Sequence, residues 1–196
     1  MYEELLSRPA DALGLGYYSG QLDKGAGRDQ IVEQIMGGEE YHTDVVQQLY
    51  HTYLHRAADP NGLSNYVGFL DHGGTIEQVR AILLGSAEYY FGHGASNDGF
   101  LAALYQDVLG RPIDPSGQAA YSQMLANGMS RGDIATALLQ STEGSQYRVN
   151  QDYIWLLNRN ADSAALTAYG SQLASSGQEE AIVVTLLSSD EFYGRS

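Results

Sequence analysis

The 196-residue chain contains no cysteine and only one lysine, Lys24. The absence of cysteine excludes disulfide bonds, thiolate metal ligands and a cysteine nucleophile. The 10 lysine and arginine residues stand against 24 aspartate and glutamate residues, which gives a net charge of −14. Because proteins bind nucleic-acid phosphates mainly through lysine and arginine, this balance predicts that nucleic acid is not a partner.

Long apolar runs are also missing. No run approaches the roughly 20 residues that span a bilayer, so no membrane insertion is predicted. Residues 1–10 lack a basic segment followed by a hydrophobic stretch, so no N-terminal signal peptide is predicted in this chain. The acidic, lysine-poor and glycine-rich composition favours an extracellular protein, or one on a cell or particle surface, exported by another signal. An acidic cytoplasmic protein would have a similar composition.

The chain contains one pattern four times. Superposition of the sequence on itself with shifts of 48, 55 and 48 residues aligns seven positions that hold one residue type in every copy. A fixed period near 50 residues indicates a supersecondary unit that packs on its neighbours. These seven positions are Tyr2, Tyr50, Tyr105 and Tyr153; Leu6, Leu54, Leu109 and Leu157; Arg8, Arg56, Arg111 and Arg159; Asp11, Asp59, Asp114 and Asp162; Tyr18, Tyr66, Tyr121 and Tyr169; Leu22, Leu70, Leu125 and Leu173; and Glu40, Glu88, Glu143 and Glu191.

Each copy has the apolar spacing and the start signals of three or four short helices. Aspartate before proline, as at Asp59 and Asp114, predicts a capped start of the second helix. The third helix is predicted to bury Val79, Ile82 and Leu83 in the second copy. Thr75–Gln78 and Ser176–Glu179 both have the spacing of a capping box, and Ser130 with Asp133 is a weaker relative. The sequence therefore predicts an all-α fold of four tandem helical repeats of about 48 residues.

The repeats are predicted to form two paired modules. The middle shift exceeds the outer shifts by seven residues, and residues 92–98 are a seven-residue stretch of turn and loop formers. This places one helical module at 1–91, a linker at 92–98 and a second helical module at 99–196. Only Met1 precedes the first conserved tyrosine, so the first copy is expected to be shortened, as in a fragment of a longer repetitive protein or a natural truncation.

The third copy carries the pattern most completely, from Leu104 to Gly117 and on through Tyr121, Leu125, Gly128 and Ser141–Glu143. It resembles a bacterial domain of unknown function that occurs as tandem copies in surface-layer-like, adhesin-like and type-I-secreted proteins, with distant similarity to the phycobilisome linker domain. The resemblance covers nearly the whole chain. It implies an all-helical, non-catalytic module on an extracellular or particle surface, and it brings no catalytic residues.

The recurring arginine and aspartate could bind an anion or tune a pKa. A structural role is favoured, because the arginine is placed at the end of the first helix and the aspartate at the cap of the second. We therefore predict four helix-cap corners. Their residues are Arg8 and Asp11, Arg56 and Asp59, Arg111 and Asp114, and Arg159 and Asp162.

Binding residues are sought where one copy departs from the others. Ile154 and Trp155 in the fourth copy replace polar residues of the other three. Apolar side chains at solvated positions indicate packing within the chain, a dimer contact or a hydrophobic patch for a partner. Tyr17, whose equivalents are asparagine and alanine, is a candidate ring for stacking on a sugar.

Catalytic and metal chemistry is weakly represented. His51 and His55 have the spacing of two metal ligands but lack a third, so no metal site is predicted. No serine-hydrolase motif occurs. No cofactor is predicted, and a carboxylate pair remains the one enzymatic alternative. The preferred hypothesis is a non-catalytic structural or adhesive surface module that mediates protein–protein assembly or self-association, and the alternative is binding of a surface polysaccharide.

Overall fold

The computed structural model describes residues 1–194, which form fourteen α-helices without a strand. The all-α prediction is confirmed. Within this range no helix has both the length and the apolar character needed to cross a membrane. In order, the helices are α1 (Tyr2–Leu6), α2 (Ala12–Asp23), α3 (Arg28–Met36), α4 (Glu39–Leu54), α5 (Pro60–Asp71), α6 (Ile76–Leu84), α7 (Ala87–Gly92), α8 (Asn97–Leu109), α9 (Pro115–Ala126), α10 (Arg131–Leu139), α11 (Thr142–Leu157), α12 (Ser163–Ser176), α13 (Glu179–Ser188) and α14 (Asp190–Tyr193).

Most predicted helix starts lie where the sequence places them. Pro60 and Pro115 are the first residues of α5 and α9, and an aspartate precedes each as the N-cap. Capping boxes are present at Thr75–Gln78 and Ser130–Asp133. The box predicted at Ser176–Glu179 is wrong, because the N-cap residue of α13 is Gln178 and its side chain makes no cap hydrogen bond.

Two long helices are each shared by two repeats. Helix α4 carries the recurring Glu40 near its start and the recurring Tyr50 in its last turns, so it ends the first repeat and begins the second. Helix α11 does the same with Glu143 and Tyr153. Between the second and third repeats the corresponding helix is divided into α7 and α8, and residues 93–96 connect them.

The two halves of the chain repeat the same helices with an offset of 103 residues. Helices α2, α3 and α4 begin at residues 12, 28 and 39, and α9, α10 and α11 begin at residues 115, 131 and 142. Helix α6 of the second repeat packs on α10 of the third, and α13 of the fourth repeat packs in the same way on α3 of the first. The four repeats therefore form a closed ring with approximate two-fold symmetry.

One hydrophobic core runs through this ring. Side chains of all four repeats belong to a single buried cluster, including Ile31, Leu84, Leu104 and Leu187. The division into modules at 1–91 and 99–196 stays a prediction. Of the predicted linker 92–98, only residues 93–96 are non-helical. Val79 and Leu83 are buried as predicted, but the prediction for Ile82 is wrong: its side chain is 47% exposed.

Candidate functional site

The recurring arginine binds the recurring glutamate of its own repeat. In each copy the guanidinium Nε and Nη2 donate to the two carboxylate oxygens, with distances of 2.5 Å and 2.7–2.9 Å. Such a two-pronged bond fixes the orientation of both groups. The pair joins the end of the first helix to the start of the last one. The four pairs are Arg8 with Glu40, Arg56 with Glu88, Arg111 with Glu143 and Arg159 with Glu191.

The recurring aspartates and tyrosines surround the same arginines. Asp11, Asp59, Asp114 and Asp162 each act as the N-cap of the second helix and accept a backbone N–H from its first turn. The guanidinium carbon of each arginine also lies 5.0–5.2 Å from the ring centre of the first tyrosine of its repeat. The second tyrosine of the repeat packs on the first, with ring centres 5.9–6.4 Å apart.

This arrangement leaves the corner carboxylates poorly suited to proton transfer. The hydrogen bond from Arg111 lowers the pKa of Glu143, and bonds from Ser116 and Gly117 lower the pKa of Asp114. A general acid or base requires a pKa near the working pH. Because their hydrogen bonds hold these groups in the ionised form, the corner joins the helices of a repeat.

A different set of charges lies buried where the second and fourth repeats meet. This buried charge cluster consists of Glu77 and Arg80 on α6, Arg148 and Asp152 on α11, and Glu179 and Glu180 on α13. Of its six residues, Arg80, Asp152 and Glu179 are only 4–8% exposed. Burial of this many charged groups costs folding free energy unless they pair.

Glu179 lies at the centre of the buried charge cluster. Its carboxylate accepts from Arg80 Nη1 at 2.9 Å and lies 3.4 Å from Arg148 Nε. Its backbone N–H donates to Glu77 Oε1 at 3.2 Å. A carboxyl oxygen of Glu77 therefore caps the start of α13, in place of the capping box that the sequence predicts there.

The carboxyl groups of the cluster have strongly different proton affinities. Burial and the nearby charge of Glu179 raise the pKa of Glu77 to about 8. The same two causes raise the pKa of Asp152 well above its ordinary value. Burial opposes ionisation of Glu179 too, but the charges of Arg80 and Arg148 outweigh it and lower its pKa to about 2. Glu77 and Asp152 thus hold protons under conditions in which Glu179 is ionised.

The cluster breaks the two-fold symmetry of the ring. Glu77 and Glu180 occupy equivalent positions 103 residues apart, but the residues equivalent to Arg80, Asp152 and Glu179 are Val183, Leu49 and Ile76. Sequence analysis missed this cluster because its central pair, Arg80 and Glu179, is separated by 99 residues. A search for charged residues at positions that are apolar in the equivalent copy would have found it.

A small cavity adjoins the cluster. It has a volume of about 20 Å³, and Glu77, Arg80, Gln140 and Arg148 contribute to its wall. This volume accommodates about one water molecule. Glu77 Oε2 and Arg80 Nε are buried beside it without a hydrogen-bond partner. The cavity is therefore too small for an organic substrate.

The predicted binding residues lie on the surface. Ile154 and Trp155 are 42% and 44% exposed near the end of α11, and Tyr17 is 62% exposed on α2. His51 is exposed on α4 and His55 forms its C-cap. Within residues 1–194 no group of three or more histidine, aspartate or glutamate side chains is arranged to hold a metal ion.

Comparison with known proteins gives a family but no activity. No curated protein and no solved structure matches the chain. One family, described as "Domain of unknown function (DUF4214)", matches residues 1–45 and 81–147. The matched segments cover more than half of the 196 residues and include the first and third corners. The chain therefore belongs to the DUF4214 family.

Proposed function

We propose that this protein is a non-catalytic module that mediates protein–protein assembly on a cell or particle surface. The observation that carries the proposal is the exposure of apolar side chains on α2, a helix without any buried residue. Leu13, Leu15 and Tyr17 are 87%, 61% and 62% exposed. Leu13 and Tyr17 are four residues apart and share one face of α2, and exposed apolar surface of this kind is typical of protein interaction sites.

One recurring position shows the greater exposure of α2. Leu22 is 41% exposed, whereas its equivalents Leu70 and Leu173 are 6% and 4% exposed and Leu125 is partly buried.

The remaining chemistry of the chain supports a non-catalytic role. The recurring polar residues of the repeats bind one another in four corners, and the cavity beside the buried charge cluster has room for about one water molecule. The composition, which is acidic and free of cysteine, is the support for a surface location.

Sedimentation velocity over a range of protein concentrations tests the proposal. The wild-type protein is expected to associate in high salt, which screens the repulsion between chains of net charge −14. The double variant Leu13→Ala, Tyr17→Ala introduces the alanines that occupy the equivalent positions of the fourth repeat, Ala164 and Ala168, and should stay monomeric. Met124→Ala on α9 is the matched control and should associate like wild type. Monomers at every concentration, or equal association of the double variant, would contradict self-association through α2.

Binding of a surface polysaccharide is the second candidate. Trp155 and Tyr17 present exposed aromatic rings, and such rings stack on sugars through their apolar faces. A glycan array, followed by titration of the fluorescence of Trp155, tests this function. Because Trp155 is the only tryptophan, an unchanged emission spectrum with every bound glycan would exclude it from the site.

A further inference from the structure

The contacts of α6 with α10 and of α13 with α3 close the ring, and an equivalent arginine lies at each of them. Arg131 is the first residue of α10 and stacks on Tyr90, with its guanidinium carbon 4.2 Å from the ring centre. The equivalent Arg28 begins α3 and stacks on Tyr193 at 4.1 Å. Such a contact holds a guanidinium in place by cation–π attraction. Both arginines are therefore presented at the same position of equivalent interfaces.

The two arginines differ in their acidic partner. Asp190 Oδ1 accepts from Arg28 Nη1 at 2.8 Å. The residue equivalent to Asp190 at the other interface is Ala87. Among the described residues no carboxylate lies within ion-pair distance of Arg131, and its Nε is shielded from solvent without a hydrogen-bond partner. The guanidinium of Arg131 is thus held in place on Tyr90 but has no acidic partner like Asp190, which pairs with Arg28 at the equivalent site.

A groove of about 550 Å³ opens beside Arg131 between α6 and the α9–α10 connection. Its apolar wall includes Ile82 and Met129, which are 47% and 41% exposed. The equivalent residues at the other interface are the smaller Thr185 and Ala26. The α6–α10 interface therefore has larger apolar side chains than the α13–α3 interface, and it lacks the acid that Asp190 supplies there.

Two glycines let the helices approach closely under this groove. Gly85 and Gly132 line the groove, and a Cβ atom added to Gly85 would lie 2.5 Å from the Cα of Gly132. The backbones are therefore in contact there, which fixes the distance between Ile82 on α6 and Arg131 on α10.

We propose that this groove binds an acidic side chain of a partner protein, with an apolar neighbour of that side chain resting on Ile82 and Met129. The carboxylate pairs with Arg131 as Asp190 pairs with Arg28. Charge complementarity favours this occupant, because a guanidinium held on a ring forms strong bonds with a carboxylate. The nearest acid in sequence, Asp133, accepts from the hydroxyl and N–H of Ser130 and caps α10. The inference rests on the proposed assembly function and names a second surface for it.

The probe is a blocked tripeptide of leucine, aspartate and leucine, compared with the analogue in which asparagine replaces aspartate. Titration of the ¹⁵N-labelled protein is followed by NMR. The aspartate peptide should shift the Nε–H signal of Arg131 and the amide signals of Gly85 and Gly132. The asparagine peptide should bind about two- to fivefold more weakly, as expected for the loss of a partly exposed ion pair.

Three variants make the test specific. Arg131→Gln should weaken binding of the aspartate peptide by a similar factor, and Ala87→Asp should do the same by supplying the internal acid of the other interface. Arg28→Gln, at the equivalent position, is the control and should leave binding unchanged. Absence of binding, equal binding of the two peptides, or unchanged affinity in Arg131→Gln would overturn the inference. Each of these results is separate from the sedimentation test of α2, so failure of the groove leaves the assembly proposal standing.

Discussion

Replacement of Glu77 by glutamine should make the protein more stable at weakly alkaline pH. Glu77 lies on α6 and faces the start of α13 with its side chain 13% exposed, and its pKa is raised to about 8 by burial and by the charge of Glu179. Glutamine has the shape of the protonated acid, and its amide oxygen can still accept the backbone N–H of Glu179. The variant thus keeps the cap of α13 without the charge.

The sign of the effect follows from proton binding. Between its ordinary pKa of 4.5 and about 8, Glu77 holds a proton in the folded protein but not in the unfolded chain. Its contribution to stability is therefore full at pH 4.5 and below, and it is lost as the pH rises to about 8. The whole pKa difference corresponds to a ceiling of about 5 kcal/mol. We expect a net gain of about 2 kcal/mol for Glu77→Gln at pH 8, because the amide must also stay hydrogen-bonded. Near pH 4.5 we expect no gain.

Urea unfolding followed by the helical circular dichroism signal measures this effect at several pH values. Urea is preferred because guanidinium is a salt and would screen the charges. Glu143→Gln is the matched control: Arg111 lowers the pKa of Glu143, so its contribution changes only below the ordinary pKa of a glutamate. If the free energy of unfolding of Glu77→Gln falls with pH in parallel with wild type between pH 5 and 8, the charge of Glu77 is not the cause of the decline.

Three further outcomes follow from local geometry. Thr75→Ala removes the acceptor that caps α6 and should lower the free energy of unfolding by about 1 kcal/mol, whereas Thr75→Ser should keep most of it; urea unfolding distinguishes them. Gly85→Ala should cost roughly 1–3 kcal/mol because the added Cβ would lie 2.5 Å from the Cα of Gly132. Gly68→Ala, with nothing near its added Cβ, should instead stabilise α5 by up to about 1 kcal/mol, and equal effects of the two substitutions would contradict the close approach. The fluorescence of Trp155, which is 44% exposed, should be quenched readily by acrylamide, and Trp155→Ala should change the free energy of unfolding by less than about 1 kcal/mol. Weak quenching by acrylamide, or a loss of much more than 1 kcal/mol in Trp155→Ala, would contradict an exposed ring.

The helix caps within the corners were open to prediction because each cap depends on residues close in sequence. Asp59 and Asp114 precede a proline, and this local signal places the caps of α5 and α9 correctly. The partner of each arginine was harder to assign. The bond from Arg56 to Glu88 spans 32 residues, and only the recurrence of both residues in every copy points to it.

The closed ring and the buried charge cluster depend on contacts that no local pattern specifies. Glu179 has the spacing of a capping-box residue, yet it turns inward to Arg80, which is 99 residues away. Ile82 has the apolar spacing of its helix, yet the packing of α6 on α10 leaves it at the edge of a groove. Propensity and periodicity decide which helices form, whereas the arrangement of the repeats decides which faces they bury.

Helices α4 and α11, which each join two repeats, also limit how such a chain can change in length. The boundary between two copies lies inside a helix, so removal of one 48-residue copy must join two such helices at equivalent turns. The other two junctions are made by packing, α6 on α10 and α13 on α3, and an odd number of copies would leave one of these faces without its partner. The exchangeable element is therefore the pair of repeats, and engineered variants with an odd number of copies should fold poorly.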